Sequence, residues 1–203
     1  MYFHIQMINE PANAGRRADS IPAHWAYLTK NAAHLLARGP TVADDNDADS
    51  TGSVFFAEFA DWRAVREFVD REPHNNNGIF RTINVNRWEH ALGRSQSEFP
   101  AEKALIHWYV RACGAPGNTA ISKELLEAQR AFYARHDEDK FIVRGAIYDD
   151  EGNEWQGTAS LIALPTRAAV EALLAEEPFS KAGMYRDILI QRHKFGGTPP
   201  QSK

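Results

Sequence analysis

The chain has 203 residues, of which 43% are hydrophobic and 25% charged, and its net charge at pH 7 is −4. These proportions are typical of a globular protein with one large domain or two small ones. The slight negative charge excludes a general attraction to nucleic acid or anionic lipid. The single cysteine, Cys113, excludes an internal disulfide and a cysteine-based zinc cluster.

No segment of the sequence predicts a membrane span or a secretory signal. The longest apolar run, "ALIHWYV" at 104–110, is interrupted by His107 and is too short to cross a bilayer. The start of the chain, "MYFHIQMINE", lacks the basic and apolar regions of a signal peptide and predicts a strand instead. We therefore expect a cytoplasmic protein that binds neither membrane nor nucleic acid.

The first half of the chain predicts the order strand, helix, strand, strand, helix, strand. Ser20 is the expected N-cap of the first helix, with Pro22 in its first turn, and Asp61 is the expected N-cap of the second helix, which Pro73 ends. The polar stretch "DDNDAD" (44–49) lacks the glycine and distal glutamate of a calcium loop and predicts a solvated hairpin. The elements are strands in "YFHIQMI", "GPTV", "SVFFAEF" and "GIFRTINVNRW", and helices over 20–37 and in "DWRAVREFVDRE".

The second half of the chain repeats the first. Residues 50–88 align with 155–193, and four identical residues are each separated by 105 positions (157 minus 52, 177 minus 72, 178 minus 73, 183 minus 78). These are the pairs Gly52 and Gly157, Glu72 and Glu177, Pro73 and Pro178, and Gly78 and Gly183. We interpret the constant offset as a tandem duplication. The elements predicted for the second copy are strands at 104–111, 141–148, 157–164 and 185–192, and helices at 121–136 and 166–176.

The order βαββαβ is that of the ferredoxin-like unit, in which both helices lie on one face of an antiparallel sheet. The free face of each sheet needs cover, and a second unit can supply it. The predicted fold class is therefore α+β, with two ferredoxin-like units packed as an intrachain pseudo-dimer. The predicted domains are a first unit at 1–93, a linker at 94–103, a second unit at 104–197 and a tail at 198–203.

The motifs of the first copy resemble the YCII-related family in their order and spacing. They are "RRADSIPAHWAYL", "ARGPTVADD", "TGSVFFAEF", "DREPHNNNGIF" and "INVNRW". The resemblance covers nearly all of the first copy and, more weakly, most of the second. It implies the dimeric α/β-barrel superfamily, which includes muconolactone isomerase-like enzymes and a chlorinated-quinol dehydrochlorinase. It also implies a histidine–aspartate pair as catalytic dyad.

Transferred to this sequence, the family histidine is His24, in "SIPAHWAYL", and the aspartate position holds Glu72. Imidazole can exchange a proton at neutral pH if a partner fixes its tautomer. Glu72 is the first candidate partner and Asp44 the second. A packed helix histidine and a structural glutamate are the alternatives. In the second copy the histidine position holds Gln129, which cannot act as a base, so we expect one active site per chain.

Asp44 is also a candidate for substrate binding, together with two further residues, Arg17 and His74. Arg17, ahead of the helix, can bind an anionic oxygen of a substrate, although a surface arginine is the alternative. His74 can line the pocket or bind a metal with His24, but no cluster has ligand spacing, so no metal site is expected. The chain has no glycine-rich phosphate loop or candidate lysine motif, so no organic cofactor is expected.

The resemblance leads to the hypothesis of a cofactor-independent isomerase or lyase, of dehydrohalogenase type, acting on a small cyclic or oxygen-rich molecule. His24 would be general base or acid, Glu72 its orienting partner and Arg17 an anion clamp. The alternative is a small-molecule-binding or accessory protein that has the same barrel and no catalysis. Pairing of two chains into a homodimer of pseudo-dimers is compatible with either hypothesis.

Overall fold

A computed structural model describes residues 1–44, 49–99, 105–117 and 121–196. The chain divides into two compact units, Met1–Val85 with the stretch that begins at Lys194, and Asn86–His193. Most of the predicted hairpin loop, residues 100–103 of the predicted linker and the predicted tail at 198–203 lie outside the described residues. No helix of the described part is long and apolar enough to cross a membrane.

The first unit is a βαββαβ arrangement with one additional short helix. β3 pairs antiparallel with β1 on one side and with β2 on the other. β4 lies beside β1, where Glu10 N–H donates to the Ile79 carbonyl over 2.7 Å. The elements are β1 (Tyr2–Asn9), α1 (Arg17–Lys30), β2 (Leu35–Val42), β3 (Ser50–Glu58), α2 (Trp62–Asp70), α3 (Pro73–Asn76) and β4 (Phe80–Trp88), with 3-10 turns at Pro11–Arg16 and Ala32–His34.

The second unit has the same arrangement. β5 pairs antiparallel with β7 and with β8, and β6 pairs antiparallel with β7. The elements are β5 (Ile106–Gly114), α4 (Lys123–Ala134), β6 (Phe141–Tyr148), β7 (Trp155–Leu164), α5 (Arg167–Glu176), α6 (Pro178–Lys181) and β8 (Tyr185–His193), preceded by a 3-10 turn at Gln96–Glu98. The predicted class, α+β with two ferredoxin-like units, is confirmed.

The strand register is the same in both units. Met7 faces Ser53 in the first unit, and Ala112 faces Thr158 in the second, each 105 positions further along the chain. The remaining partner pairs of β1 and β3 recur in β5 and β7 at the same offset. A one-residue slip would turn every side chain to the opposite face. Equivalent positions of the two copies therefore face the same side of their sheets.

Each unit has its own core between sheet and helices. In the first unit, Leu28 of α1 and Val65 and Phe68 of α2 pack against Phe3 and Phe55 of the sheet, and all five are buried. Burial of large apolar side chains of this kind contributes about 1.5–3 kcal/mol each. In the second unit the buried core residues are Trp108, Val110, Phe141, Ile162 and Val170, with a further cluster of Trp155, Phe179 and Met184.

The first helix differs from its prediction at both ends. α1 begins at Arg17 rather than Ser20, because the preceding 3-10 turn continues directly into it and no side-chain cap is made. Ser20 is instead buried inside the helix. The predicted helix to residue 37 is wrong, because the chain leaves α1 at Lys30 and enters β2 at Leu35. The apolar residues of 35–37 suit a helical period, yet they belong to a strand.

The ends of the two units differ from the boundaries that the repeat predicts. Residues after Val85 group with the second unit, where Glu89 and Ala91 donate backbone hydrogen bonds to Ala146 and Arg144 over 2.9 and 3.1 Å. Residues 194–196 group with the first unit, where they hydrogen-bond to β2. We call residues 194–196 the C-terminal strap.

Candidate functional site

The first unit contains a buried histidine–carboxylate pair. His24 Nδ1 lies 2.5 Å from Glu72 Oε1, with His24 8% and Glu72 0% exposed. Burial by itself raises the pKa of Glu72, but the hydrogen bond and the charge of His24 lower it by more, so the pKa lies below its usual value. Glu72 is therefore an ionised acceptor at neutral pH. It favours the tautomer of His24 with the proton on Nδ1, which leaves Nε2 for proton transfer.

The chain places Glu72 by means of a sharp helix break. α2 ends at Asp70, Pro73 occupies the first position of α3, and Glu72 has extended backbone angles (φ −67°, ψ 124°) as the N-cap of α3. Its Oε2 accepts a hydrogen bond from Asn75 N–H over 2.9 Å. One carboxylate oxygen thus caps a helix while the other holds His24, and the side chain is fixed from both ends.

His74, the second residue of α3, stacks on His24. The ring centroids are 4.0 Å apart at an angle of 18°, and His74 Nδ1 lies 2.6 Å from Ser20 Oγ. Burial lowers the pKa of His74 to about 3, assisted by the positive charges of His24 and Arg17 and opposed by Glu72. His74 is therefore neutral at physiological pH and supports the ring of His24 without adding a charge.

Arg17, the first residue of α1, is held by the sheet. Its two terminal nitrogens donate to Asn9 Oδ1 over 3.1 Å and to Ser53 Oγ over 2.9 Å. Burial lowers the pKa of Arg17 to about 10, although the negative charge of Glu72 opposes this. The guanidinium remains a cation at neutral pH, and its fixed position suits it to bind an anionic oxygen.

These residues meet at a cavity of about 260 Å³. His24, His74 and Arg17 form part of its wall, and two further cations, Arg38 and Lys194, also line it. Much of the remaining wall is apolar and consists of Ile21, Trp25, Leu28, Pro40, Val42 and Phe55. The cavity therefore combines an imidazole with several positive charges, an arrangement that suits a small anionic molecule.

Sequence reasoning missed Arg38 and Lys194. Arg38 Nη1 donates to the Leu28 carbonyl over 2.7 Å and its Nε to the Gly196 carbonyl over 3.2 Å. The "ARGP" motif could have drawn attention to Arg38. Nothing in the sequence near Lys194 indicates that the C-terminal strap reaches this cavity, because the contact is made more than 150 positions from β2.

Asp44, the second candidate partner of His24, lies elsewhere. It is exposed, two positions beyond the end of β2, and is not part of the cavity wall. The pairing left open by the sequence is therefore made by Glu72. Among the described residues, no group of three or more histidine, cysteine, aspartate and glutamate side chains has a geometry that could hold a metal ion.

The second unit has the same pair with one member changed. Gln129 Nε2 donates to Glu177 Oε1 over 2.9 Å, and Glu177 Oε2 accepts from Ser180 N–H over 2.8 Å as the N-cap of α6. Glu177 therefore has the same two hydrogen-bonding roles as Glu72. An amide cannot accept a proton at neutral pH, so this pair cannot perform the chemistry open to His24.

Comparisons with known proteins show which sequences and structures this chain is similar to. The sequence model of the YCII-related domain matches residues 1–89. A 5-chloro-2-hydroxyhydroquinone dehydrochlorinase from Burkholderia phenoliruptrix, solved with 2,5-dihydroxybenzoquinone, is 33% identical over 47% of this chain and 100% of its own, with a TM-score of 0.43. No curated protein sequence matches the chain.

Two solved structures resemble nearly the whole chain in fold. Chlorite dismutase from Candidatus Nitrospira defluvii is 7% identical over 95% of this chain and 90% of its own, with a TM-score of 0.62. An anthrone oxidase-like protein is 12% identical over 100% of this chain and 95% of its own, with a TM-score of 0.54. The predicted dimeric α/β-barrel type is thereby confirmed as the fold.

Proposed function

Because the chain belongs to the YCII-related family, we propose that its first unit is an enzyme that transfers a proton on a small organic substrate without a cofactor. The reaction class is isomerisation or elimination of HX, as in a dehydrohalogenase. The substrate is a small cyclic or oxygen-rich molecule that is anionic, or becomes so during the reaction. The observation that carries the proposal is the buried pair of His24 and Glu72, 2.5 Å apart, in which His24 lines a cavity that several cations also line.

The geometry supports the roles proposed for His24, Glu72 and Arg17. His24 Nε2 takes a proton from the substrate, and the ionised Glu72 stabilises the imidazolium that forms. Arg17, fixed by Asn9 and Ser53, binds the oxygen on which negative charge develops. In an elimination the electron pair left by the proton forms the new double bond and expels halide. In an isomerisation His24 returns the proton to a different atom of the substrate.

The direct test uses the substrate named for the Burkholderia enzyme, 5-chloro-2-hydroxyhydroquinone, with chloride release as the readout. The matched variant is His24→Gln, because Gln129 shows that glutamine donates the same hydrogen bond to the partner carboxylate. This variant is expected to fold normally and to lose about 10²-fold or more of the rate. Chloride release at the wild-type rate in His24→Gln would contradict the assignment of His24.

A non-catalytic binding protein is the second candidate, and the second unit favours it by having a cavity with Gln129 in place of a base. Titration of the whole chain with 2,5-dihydroxybenzoquinone separates the two hypotheses. Binding in the first unit is followed by the NMR signal of the indole of Trp25, which lines the cavity. Saturable binding without turnover of chlorinated hydroxyquinols or small lactones would favour the binding hypothesis. Turnover that depends on His24 would exclude it.

A further inference from the structure

We propose that the second unit has a ligand site of its own, which binds a neutral, hydroxylated planar ring without transforming it. Its cavity has a volume of about 500 Å³ and lies entirely within Asn86–His193. The wall includes Gln129, which is hydrogen-bonded to Glu177, and four aromatic side chains, Tyr133, Tyr148, Trp155 and Phe179. The volume is within the range of about 300–1,000 Å³ typical of small-molecule sites.

Gln129 offers this cavity an acceptor. Its side chain is 8% exposed, and its Nε2 is committed to Glu177 over 2.9 Å. The amide oxygen is the remaining polar atom of the side chain, as Nε2 is the remaining polar atom of the His24 side chain in the first unit. A ligand hydroxyl can donate a hydrogen bond to this oxygen but cannot lose its proton to it. The site therefore binds a hydroxyl without activating it.

The residues that hold an anion in the first unit have changed. At the offset of 105, Arg17 becomes Ser122, and its anchors Asn9 and Ser53 become Gly114 and Thr158. Ser122 caps α4 instead, accepting from Leu125 N–H over 3.2 Å. The second site therefore has no buried guanidinium at this position. It lacks the positive charge that would attract an anion there.

One arginine of the first site is retained in the second, but its charge is paired with a carboxylate. Arg144 occupies the position of Arg38 in the "RG" motif and makes two 2.6 Å hydrogen bonds to the carboxylate of Asp137. Arg130 also lines the cavity, but it is exposed to solvent. The Glu89 carboxylate adds a negative charge and accepts a hydrogen bond from the Tyr148 hydroxyl over 3.0 Å. An anion would meet paired or solvated cations and a carboxylate, so a neutral ligand is favoured.

The aromatic residues determine the shape of the ligand. Trp155 and Phe179 meet edge to face, with centroids 5.5 Å apart at 86°. Phe179 occupies the position that His74 holds in the first unit, which exchanges a polar ring for an apolar one. Aromatic faces pack best against flat rings. A neutral phenol or hydroquinone has a hydroxyl to donate to the Gln129 amide oxygen, no charge, and a flat ring to pack against the aromatic side chains.

The test is side-chain NMR of the whole chain, because each cavity has one tryptophan in its wall, Trp25 in the first unit and Trp155 in the second. Benzene-1,4-diol is the neutral probe, since phenols ionise near pH ~10. 2,5-Dihydroxybenzoquinone, which is anionic at pH 7, is the matched charged probe. We expect the diol to shift the Trp155 indole and Gln129 amide signals saturably, and the quinone to shift Trp25 instead. Gln129 is needed as a second reporter because Trp155 also borders a neighbouring cleft.

Two variants sharpen the test. Gln129→Met removes the acceptor and is expected to weaken binding of the diol about fivefold or more. Asp137→Asn releases the charge of Arg144 and is expected to make the quinone bind at Trp155 about fivefold more tightly. This second variant tests the charge argument even if the first does not fold. The proposal is overturned if the diol leaves Trp155 and Gln129 unshifted, or if the quinone binds there as tightly as the diol in the unaltered chain. The readout is binding in the second unit, so it is independent of catalysis at His24.

Discussion

At the scale of single residues, the two units form a natural comparison. Glu72 and Glu177 each use one oxygen to cap a short helix and the other to hold a side chain from the preceding long helix. The fold therefore explains why both copies contain the glutamate. What differs is the held side chain, His24 in one copy and Gln129 in the other. In the proposed function, the chemistry of the first unit depends on the histidine, and the glutamate orients it.

Replacement of Glu72 by glutamine tests this orientation. The amide oxygen can still cap α3, but the amide nitrogen can donate to His24 Nδ1, which would then lose its proton and leave Nε2 protonated. We expect the rate to fall by about 10²–10⁴-fold, because the base is in the wrong tautomer. Nitrogen-15 spectra of the imidazole report the tautomer directly. Asp61→Asn, a change at the exposed cap of α2, is the matched control and should leave both readouts unchanged. Full activity of Glu72→Gln with a reversed tautomer would refute the role of Glu72.

His74 makes the stability of the protein depend on pH. Its pKa is about 3 in the folded protein and about 6.5 in an unfolded chain, so the unfolded state binds more protons between these values. The free energy of unfolding therefore falls as the pH falls through this range, by up to about 1.4 kcal/mol per pH unit from this group. His74→Phe, the residue found at the equivalent position 179, removes this contribution.

Urea unfolding of the wild type and of His74→Phe at pH 7 and pH 4.5 measures the effect. We expect the wild type to lose about 2 kcal/mol more than the variant over this interval. The comparison cancels the titrating groups that do not interact with His74, among them His193, whose pKa is also lowered to about 3 by burial. Equal losses in the two proteins would mean that His74 is protonated as easily in the folded state as in the unfolded state.

At the scale of elements, the sequence predicts the long strands and helices well because their apolar periods are clear. The short helices α3 and α6 escape prediction, since four residues do not establish a period. Their signal is local instead. A glutamate cap precedes a proline, and a glycine with positive φ follows each helix, Gly78 at 64° and Gly183 at 67°. The site depends on these short helices, so its detailed geometry was less predictable than the fold.

The caps of the short helices are expected to be more important than ordinary caps. Glu177→Ala removes the acceptor for Ser180 N–H and leaves the buried amide of Gln129 without its partner. We expect a loss of about 2–4 kcal/mol in the free energy of unfolding. Thr166→Ala, at the exposed cap of α5, is the control and should cost about 1 kcal/mol. Urea unfolding measures both, and equal costs would show that the buried hydrogen bond adds nothing.

At the scale of the whole molecule, the offset found in the sequence is also the offset in strand register. Alternating apolar residues determine register, so the sequence could predict this equivalence. The sequence could not predict the C-terminal strap. Lys194 and Gly196 donate to the carbonyls of Pro40 and Arg38 over 3.1 and 2.9 Å, far from them along the chain. Such contacts follow from the finished fold and not from any local pattern.

The C-terminal strap lines the cavity of the first unit, and its deletion tests whether it contributes to anion binding there. Lys194 adds a positive charge to the cavity, and Gly196 holds Arg38 there. Deletion of residues 194–203 should weaken binding of 2,5-dihydroxybenzoquinone about tenfold and reduce its dependence on salt, because two of the attractive charges are removed or released. Titration with the quinone at low and high salt, followed by the indole signal of Trp25, measures both the affinity and its salt dependence. Deletion of residues 198–203 alone keeps the strap and is the control. If the longer deletion binds the quinone as tightly as the control, the strap contributes nothing to anion binding, and Arg17 and Arg38 are sufficient without it.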